Sequence, residues 1–355
     1  MSPPPATLRR LAADIDGALD AALDRLLPRL TAIRPELEAV TDELRAFTSG
    51  GKRIRPVLLV LGFQAAGGRN FASVHGPALA LELLHTCALV HDDVIDRAGS
   101  RRGRPSVHRA FADRHRAAGW SGAPDAYGDA VAILLGDLAF VYADELFLEA
   151  EVPDRSLLAG FRRFTVLREE VMAGQYLDLQ AATSRTTDRD LALQVATLKS
   201  GRYSVARPLE IGATLAGADD DLVEGLRAFG DPLGRAFQVR DDLLGVFGTE
   251  TQTGKSTSSD LAEGKRTLLI AEAAARLDEV DRAELDARLG DPELTVAQTE
   301  RIRDLLVTSG ARDAAETYVA EAVGQARAAL RHLGLPPGPE TALAEVAGYL
   351  GDRMT

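Results

Sequence analysis

Asp92, Asp93 and Asp96 stand at the end of an apolar stretch, and Arg97, Arg101, Arg102 and Arg104 follow directly. A helix running on to Asp96 puts Asp92 and Asp96 at i and i+4, on one face and about one turn apart. Two carboxylates held that close repel, and in an apolar setting one tends to take up a proton. A divalent cation removes the repulsion, and oxygen-only donors favour a hard ion such as Mg²⁺. The arginines suit bidentate phosphate binding. Metal and guanidinium groups beside an apolar wall point to a ligand with a diphosphate head and an apolar tail. The same string also fits a solvated helix end, so the rest of the chain has to decide.

A second acidic pair, Asp241-Asp242, closes another mostly apolar segment and is preceded by Gln238. If the two helices face each other, they form opposite walls of a cleft with metal between them. Several Mg²⁺ ions, about three, with Lys199, Lys255 and Lys265 would neutralise a bound diphosphate. The chemistry this suits is ionisation of a carbon–oxygen bond with diphosphate as leaving group, in a dry apolar cavity that keeps water from the carbocation. Joining two substrates needs a second basic pocket. Lys52 and Arg55, at i and i+3 around a helix start, with His85 and Arg102, could supply it, although Lys52 and Arg55 alone also read as an ordinary charged helix start. His85 interrupts an apolar run two turns before Asp92, where packing alone favours leucine.

The elements that must position these groups read as helices. Residues 6–27 carry Leu8, Leu11, Ile15, Leu19, Leu23 and Leu26 at spacings of three or four. Further helices are expected at 36–47, at 56–66 opened by Pro56, at 71–96, near 105–116, at 129–149 and at 154–181. The basic stretch 97–104 and residues 117–128 read as loops. Two short helices broken near Gly201 are expected over 188–216, one helix over 220–247, a loop over 249–260, and several helices after 264. No strand alternates convincingly and no repeat of fixed period occurs. The expectation is one all-α domain over 1–355, with the motifs in 51–267 and a flexible tip at 1–5.

Composition agrees. Aromatic residues make up 5% of the chain and apolar residues 46%, which favours helices over sheets. A net charge of −12 argues against nucleic acid as a partner and leaves anion binding to local basic clusters. The single cysteine, Cys87, excludes a disulfide framework within the chain. No apolar run reaches the length of a membrane span, and the start lacks a signal-type core, so a soluble cytoplasmic protein is expected.

Taken together, the motifs resemble those of the trans-isoprenyl diphosphate synthases, the polyprenyl synthetase family. The matching strings are Gly51-Lys52-Arg53-Ile54-Arg55-Pro56, Leu84-His85-Thr86, His91-Asp92-Asp93-Val94-Ile95-Asp96 and Arg101-Arg102-Gly103-Arg104-Pro105. Further on come Gly136-Asp137, Gly174-Gln175, Lys199-Ser200, Phe237 through Asp242, Gly254-Lys255 and Gly264-Lys265-Arg266-Thr267. The resemblance implies an all-α bundle around a deep apolar cavity, a homodimer, and Mg²⁺ held by Asp92, Asp96 and Asp241. It implies that Arg101, Lys199 and Lys255, with Lys265 nearby, hold an allylic diphosphate. Lys52, Arg55, His85 and Arg102 then hold isopentenyl diphosphate, and Ser200, Tyr203 and Gln238 lie beside the scissile bond. One residue departs from the pattern: Gly245 stands where many members carry a third aspartate of the second motif.

In the family, the residues five and four positions before the first aspartate set product length. Here they are Cys87 and Ala88, both small, with Leu84 and Leu81 each about a turn deeper. A C20 product, geranylgeranyl diphosphate, is expected, with C15 or C25 and longer as alternatives. A class I terpene cyclase fits poorly, because neither frame from Asp241 or Asp242 completes its second metal motif. A non-catalytic synthase subunit is favoured only by Gly245.

Overall fold

The computed structural model describes residues 4–249 and 259–351. In chain order the helices are α1 (Ala6–Leu26), α2 (Pro28–Thr31), α3 (Glu38–Thr48), α4 (Ile54–Ala65), α5 (His75–Ile95), α6 (Val107–Ala118), α7 (Pro124–Phe147), α8 (Asp154–Ser184), α9 (Arg189–Val195), α10 (Arg207–Leu215) and α11 (Asp220–Phe247). After the segment that is not described come α12 (Ser259–Ala262), α13 (Leu268–Arg276), α14 (Glu279–Arg288), α15 (Val296–Thr308), α16 (Ala311–His332) and α17 (Pro337–Gly351). Between α9 and α10 the chain is π-helical over Ala196–Ala206. The chain is all-α, and among the described residues the one sheet is a two-stranded hairpin, β1 (Ser100–Arg101) with β2 (Arg104–Pro105).

The chain forms two compact units, one of residues 6–60 and 69–157, the other of 61–68 with the chain from Leu158 onward. In the first, α5 packs on α7 and α1, and α6 packs on α7. Leu79, Ala80, Leu81, Leu83 and Leu84 are all buried, so α5 is apolar nearly all round and runs through the core. In the second, α11 packs against the π-helical segment, α10 and α16. Side-chain caps set several helix starts there: Asp188, Asp219 and Asp278 accept from backbone N–H groups, and Thr295 with Gln298 forms a capping box.

Three local expectations need correction. The basic stretch after Asp96 is not wholly loop, because a two-residue turn at Arg102-Gly103 closes the hairpin. Both residues have positive φ, +52° and +75°, which matches the twist of the flanking strands. Residues 117–128 are helical at both ends, since α6 runs to Ala118 and α7 starts at Pro124. The chain does not break at Gly201 either. A Cβ there would lie 2.9 Å from the Gly234 carbonyl carbon, so that glycine marks a close helix–helix approach, not a gap.

Candidate active site

In the first unit the site grows from the C-terminal half of α5. Asp96 caps the helix, its N–H still bonded to the Asp92 carbonyl at 2.8 Å, so Asp92 and Asp96 are one turn apart as expected. Asp93 is fully buried and clamped by Arg101, whose Nε lies 2.7 and 2.8 Å from its two oxygens. Arg101 is also in electrostatic reach of Asp92 and Asp96. The middle aspartate thus positions the hairpin, while Asp92 and Asp96 keep part of their surface exposed.

His91 fixes this end of the helix to α7. Its Nε2 is 3.1 Å from the Ile133 carbonyl, an acceptor, so Nε2 donates there. The Cys87 thiol points at Nδ1 from 3.7 Å, and burial with the nearby Asp137 carboxylate pushes that thiol up to about 12. Gly136 is required by this contact, because a Cβ there would lie 2.3 Å from His91 Nε2. Of the two small chain-length candidates, Cys87 is buried, whereas Ala88 is part-exposed; Leu84 and Leu81 are buried.

One turn and more deeper on α5, the basic residues converge on His85. Burial, then the charges of Arg55, Arg102, Arg101 and Arg53, hold its imidazole well below the usual histidine range, so it is neutral. Arg102 reaches from the hairpin tip to the carbonyls of Phe47 and Ser49, at 3.5 and 3.4 Å. Arg53 is the anchor of the 51–55 segment. It is buried at φ +52° and donates to Asp16 at 2.7 Å, Glu82 at 2.5 Å and the Thr48 carbonyl at 2.8 Å. Lys52 beside it is exposed and Arg55 half-buried. Sequence reasoning assigns Glu82 no part in the site; its position three residues before His85 is the available signal.

In the second unit the π-helical segment presents Lys199, Ser200 and Tyr203, an irregularity common at functional sites. Lys199 Nζ donates to Asp178 of α8 at 2.6 Å. Gly174 permits that packing, since a Cβ there would be 2.4 Å from the Lys199 nitrogen. Gly234 plays the same part toward α11, where a Cβ would meet the Gly201 oxygen at 2.3 Å. Tyr203 is buried and Ser200 half-buried.

On α11, Asp241 is exposed and Asp242 buried, with Gln238 Nε2 donating to Asp242 Oδ1 at 2.6 Å. Burial, then the Asp260 carboxylate, pushes Asp242 up to about 8 against the Gln238 hydrogen bond, and Asp241 adds to the rise. Lys265 Nζ donates to Asp260 at 3.0 Å and pairs with Glu263 at 2.6 Å. Gln238 and Lys265, expected on the substrate, therefore also tie carboxylates together. Lys255 lies outside the described residues. Among the described residues, no group of three or more His, Cys, Asp or Glu side chains is set to hold a metal ion by itself.

The helical fold, the aspartate-rich helix ends and the arginine cluster define a protein that handles strongly anionic ligands. The model of the polyprenyl synthetase family matches residues 36–306, and the chain belongs to that family. It is a prenyltransferase of the trans-prenyl diphosphate synthase type. It is 32% identical over 336 residues to a geranylgeranyl diphosphate synthase of Methanosarcina mazei, covering 94% of each chain. It is also 32% identical to a (2E,6E)-farnesyl diphosphate synthase of Mycobacterium bovis, over 86% of this chain and 80% of that one. A crystal structure of geranylgeranyl pyrophosphate synthase from Corynebacterium glutamicum, complexed with isoprenyl diphosphate and magnesium, superposes with a TM-score of 0.93 at 33% identity. The match covers 98% of this chain and 99% of that one.

Proposed function

We propose that the chain joins isopentenyl diphosphate head-to-tail to allylic diphosphates and ends at the C20 product, geranylgeranyl diphosphate. What carries the reading is the division of labour in the first acidic string. Asp93 is buried under Arg101, while Asp92 and Asp96 are one turn apart and part-exposed. The donor set fits Mg²⁺, because the residues are all carboxylates and this ion binds through one or two of them plus substrate phosphate and water. Asp92, Asp96 and Asp241 would hold it, and when bound it neutralises the leaving diphosphate.

The residues of the chain have distinct parts in the chemistry. Arg101, Lys199 and Lys255, with Lys265 near, bind the allylic diphosphate. Lys52, Arg55, neutral His85 and Arg102 bind the diphosphate of isopentenyl diphosphate. The allylic carbon–oxygen bond breaks with its electron pair going to diphosphate, and the isopentenyl double bond attacks the cation to form the new carbon–carbon bond. Loss of a proton to the released diphosphate restores a double bond. Ser200, Tyr203 and Gln238 steady the positive charge, and no protein nucleophile is needed. The small Cys87 and Ala88 leave room for C20, with Leu84 as the next floor.

We also propose a homodimer. Leu134 and Val141 of α7 and Leu148, the residue that caps its C-terminus, are 66%, 58% and 54% exposed and recur at i, i+7 and i+14, one apolar stripe of the kind helices bury against a second copy.

The test is incubation of the purified chain with Mg²⁺, isopentenyl diphosphate and each of the C5, C10 and C15 allylic diphosphates, with products dephosphorylated and sized by mass spectrometry. A C20 alcohol from all three is expected. A different length would discard the chain-length reading, and no condensation would discard the activity.

A further inference from the structure

The π-helical segment Ala196–Ala206 is in a register that chains rarely adopt, so contacts outside it must hold it. At its C-terminal end the Arg207 N–H donates to the Arg202 carbonyl, an i→i+5 bond that stacks the two arginines one above the other. In an α-helix, residues five apart point about 140° away from each other. Stacked by the wider turn, both guanidinium groups reach one carboxylate on α8. Glu170 Oε1 accepts from Arg202 Nη1 at 3.0 Å and from Arg207 Nη2 at 2.7 Å, and Glu170 Oε2 accepts from Arg207 Nε at 2.8 Å. The clamp is itself held. Arg202 makes a two-pronged contact with Asp231 of α11, at 3.2 and 3.1 Å, and Arg207 Nη1 donates to Glu210 at 2.7 Å. The Arg207 and Glu170 side chains are only 8% and 15% exposed, so little water competes for these bonds. About two turns further along α8, Asp178 takes Lys199, nearer the start of the same segment.

We propose that Glu170 holds the chain in the π register and so places Ser200 and Tyr203, acting through the two arginines and not on substrate. Tyr203 lies inside the turn that Arg202 and Arg207 close, and Ser200 stands just before it. Relaxation of that turn to the α register would rotate the side chains on its two sides by about 100° relative to one another, one residue's worth of helix. Helix α8 is then a splint, with Asp178 and Glu170 as its two points of attachment. The inference deepens the proposed function and rests on its reading that the Ser200 and Tyr203 hydroxyls steady the allylic cation.

The test is a double-mutant cycle on steady-state turnover of the full chain, with Mg²⁺, isopentenyl diphosphate and a C15 allylic diphosphate. Thermal melts fix a temperature at which every variant is folded. Glu170→Gln keeps the shape and removes the charge that both arginines share. It is expected to lower kcat about tenfold or more, with the KM for isopentenyl diphosphate within about twofold of the parent. In a background of Ser200→Ala with Tyr203→Phe, where the positioned hydroxyls are gone, Glu170→Gln should lower kcat by less than about twofold. Arg202→Lys keeps a cation but cannot grip Asp231 and Glu170 together, and it supplies the same cycle if Glu170→Gln does not fold. An equal factor in both backgrounds, unity included, reduces Glu170 to a structural role and overturns the proposal. If the background without the two hydroxyls turns over like the parent, the reading of Ser200 and Tyr203 itself fails and this inference falls with it.

Discussion

Arg53 Nη1 donates to Glu82 Oε1 at 2.5 Å, with side chains only 2% and 5% exposed. The pair ties the segment carrying Lys52 and Arg55 to α5, three residues before His85. Removing one partner strands a buried charge, so Arg53→Ala is expected to cost about 3–5 kcal/mol in urea unfolding. Replacing both, as Arg53→Met with Glu82→Leu, is expected to recover most of that stability. The KM for isopentenyl diphosphate should still rise in the double variant, with the KM for the allylic substrate unchanged. An unchanged KM for both substrates would reduce the pair to a structural role.

His85 leads to a pH prediction. Its folded-state pKa lies below the ordinary value of 6.5, so on acidification the unfolded chain takes up this proton first. Its contribution to stability is complete above that value and is lost as pH falls from there through the folded-state pKa. Denaturation midpoints measured from about pH 7.5 to 5.5 should fall, and His85→Gln should flatten the decline. Inorganic diphosphate among Arg55, Arg101 and Arg102 brings negative charge and should also flatten it.

The helices were legible because their spacing is a property of the local chain. The apolar rhythm of residues 6–27 places α1 to within a residue, and the carboxylates at the end of α5 declare themselves by type and spacing. What stayed hidden depends on partners distant in sequence. Nothing near Arg53 says that its cation is neutralised by Asp16 and Glu82. Gly201 reads as a breaker until Gly234 is found against it. Glycine and charge mark such places in the sequence, but only tertiary packing says what they meet.

That packing is testable at Gly234. A Cβ there would meet the Gly201 oxygen at 2.3 Å and its carbonyl carbon at 2.5 Å, backbone atoms with little room to move. Gly234→Ala is expected to cost about 1–3 kcal/mol from overpacking. Because the shift falls on the π-helical segment bearing Lys199, Ser200 and Tyr203, kcat should fall further than stability alone explains. A thermal melt beside turnover at a temperature where the variant is fully folded separates the two.

Product length should follow Ala88 and not Cys87. The Cys87 thiol is turned toward His91 Nδ1, whereas Ala88 keeps exposed surface on α5. Ala88→Phe is therefore expected to shift the main product toward C15, and Cys87→Ser to leave it unchanged. The thiol, pushed up to about 12, should also resist alkylation near neutral pH until the chain is unfolded. Unchanged product length in Ala88→Phe would move the floor elsewhere.

The stripe on α7 gives the last prediction. Leu134, Val141 and Leu148 expose more than half their surface while the opposite face of the same helix packs on α5 and α6. Single exposed apolar residues need no explanation, but three at heptad spacing form a seam. If that seam is the dimer contact, Val141→Glu places a charge where two copies meet, and removing it from water is expensive. Sedimentation should then report a dimer for the parent chain and a monomer for Val141→Glu, with the helical circular dichroism of the two alike. A variant that stays dimeric would place the contact on another surface, and a parent chain that is already monomeric would remove the homodimer from the proposal altogether.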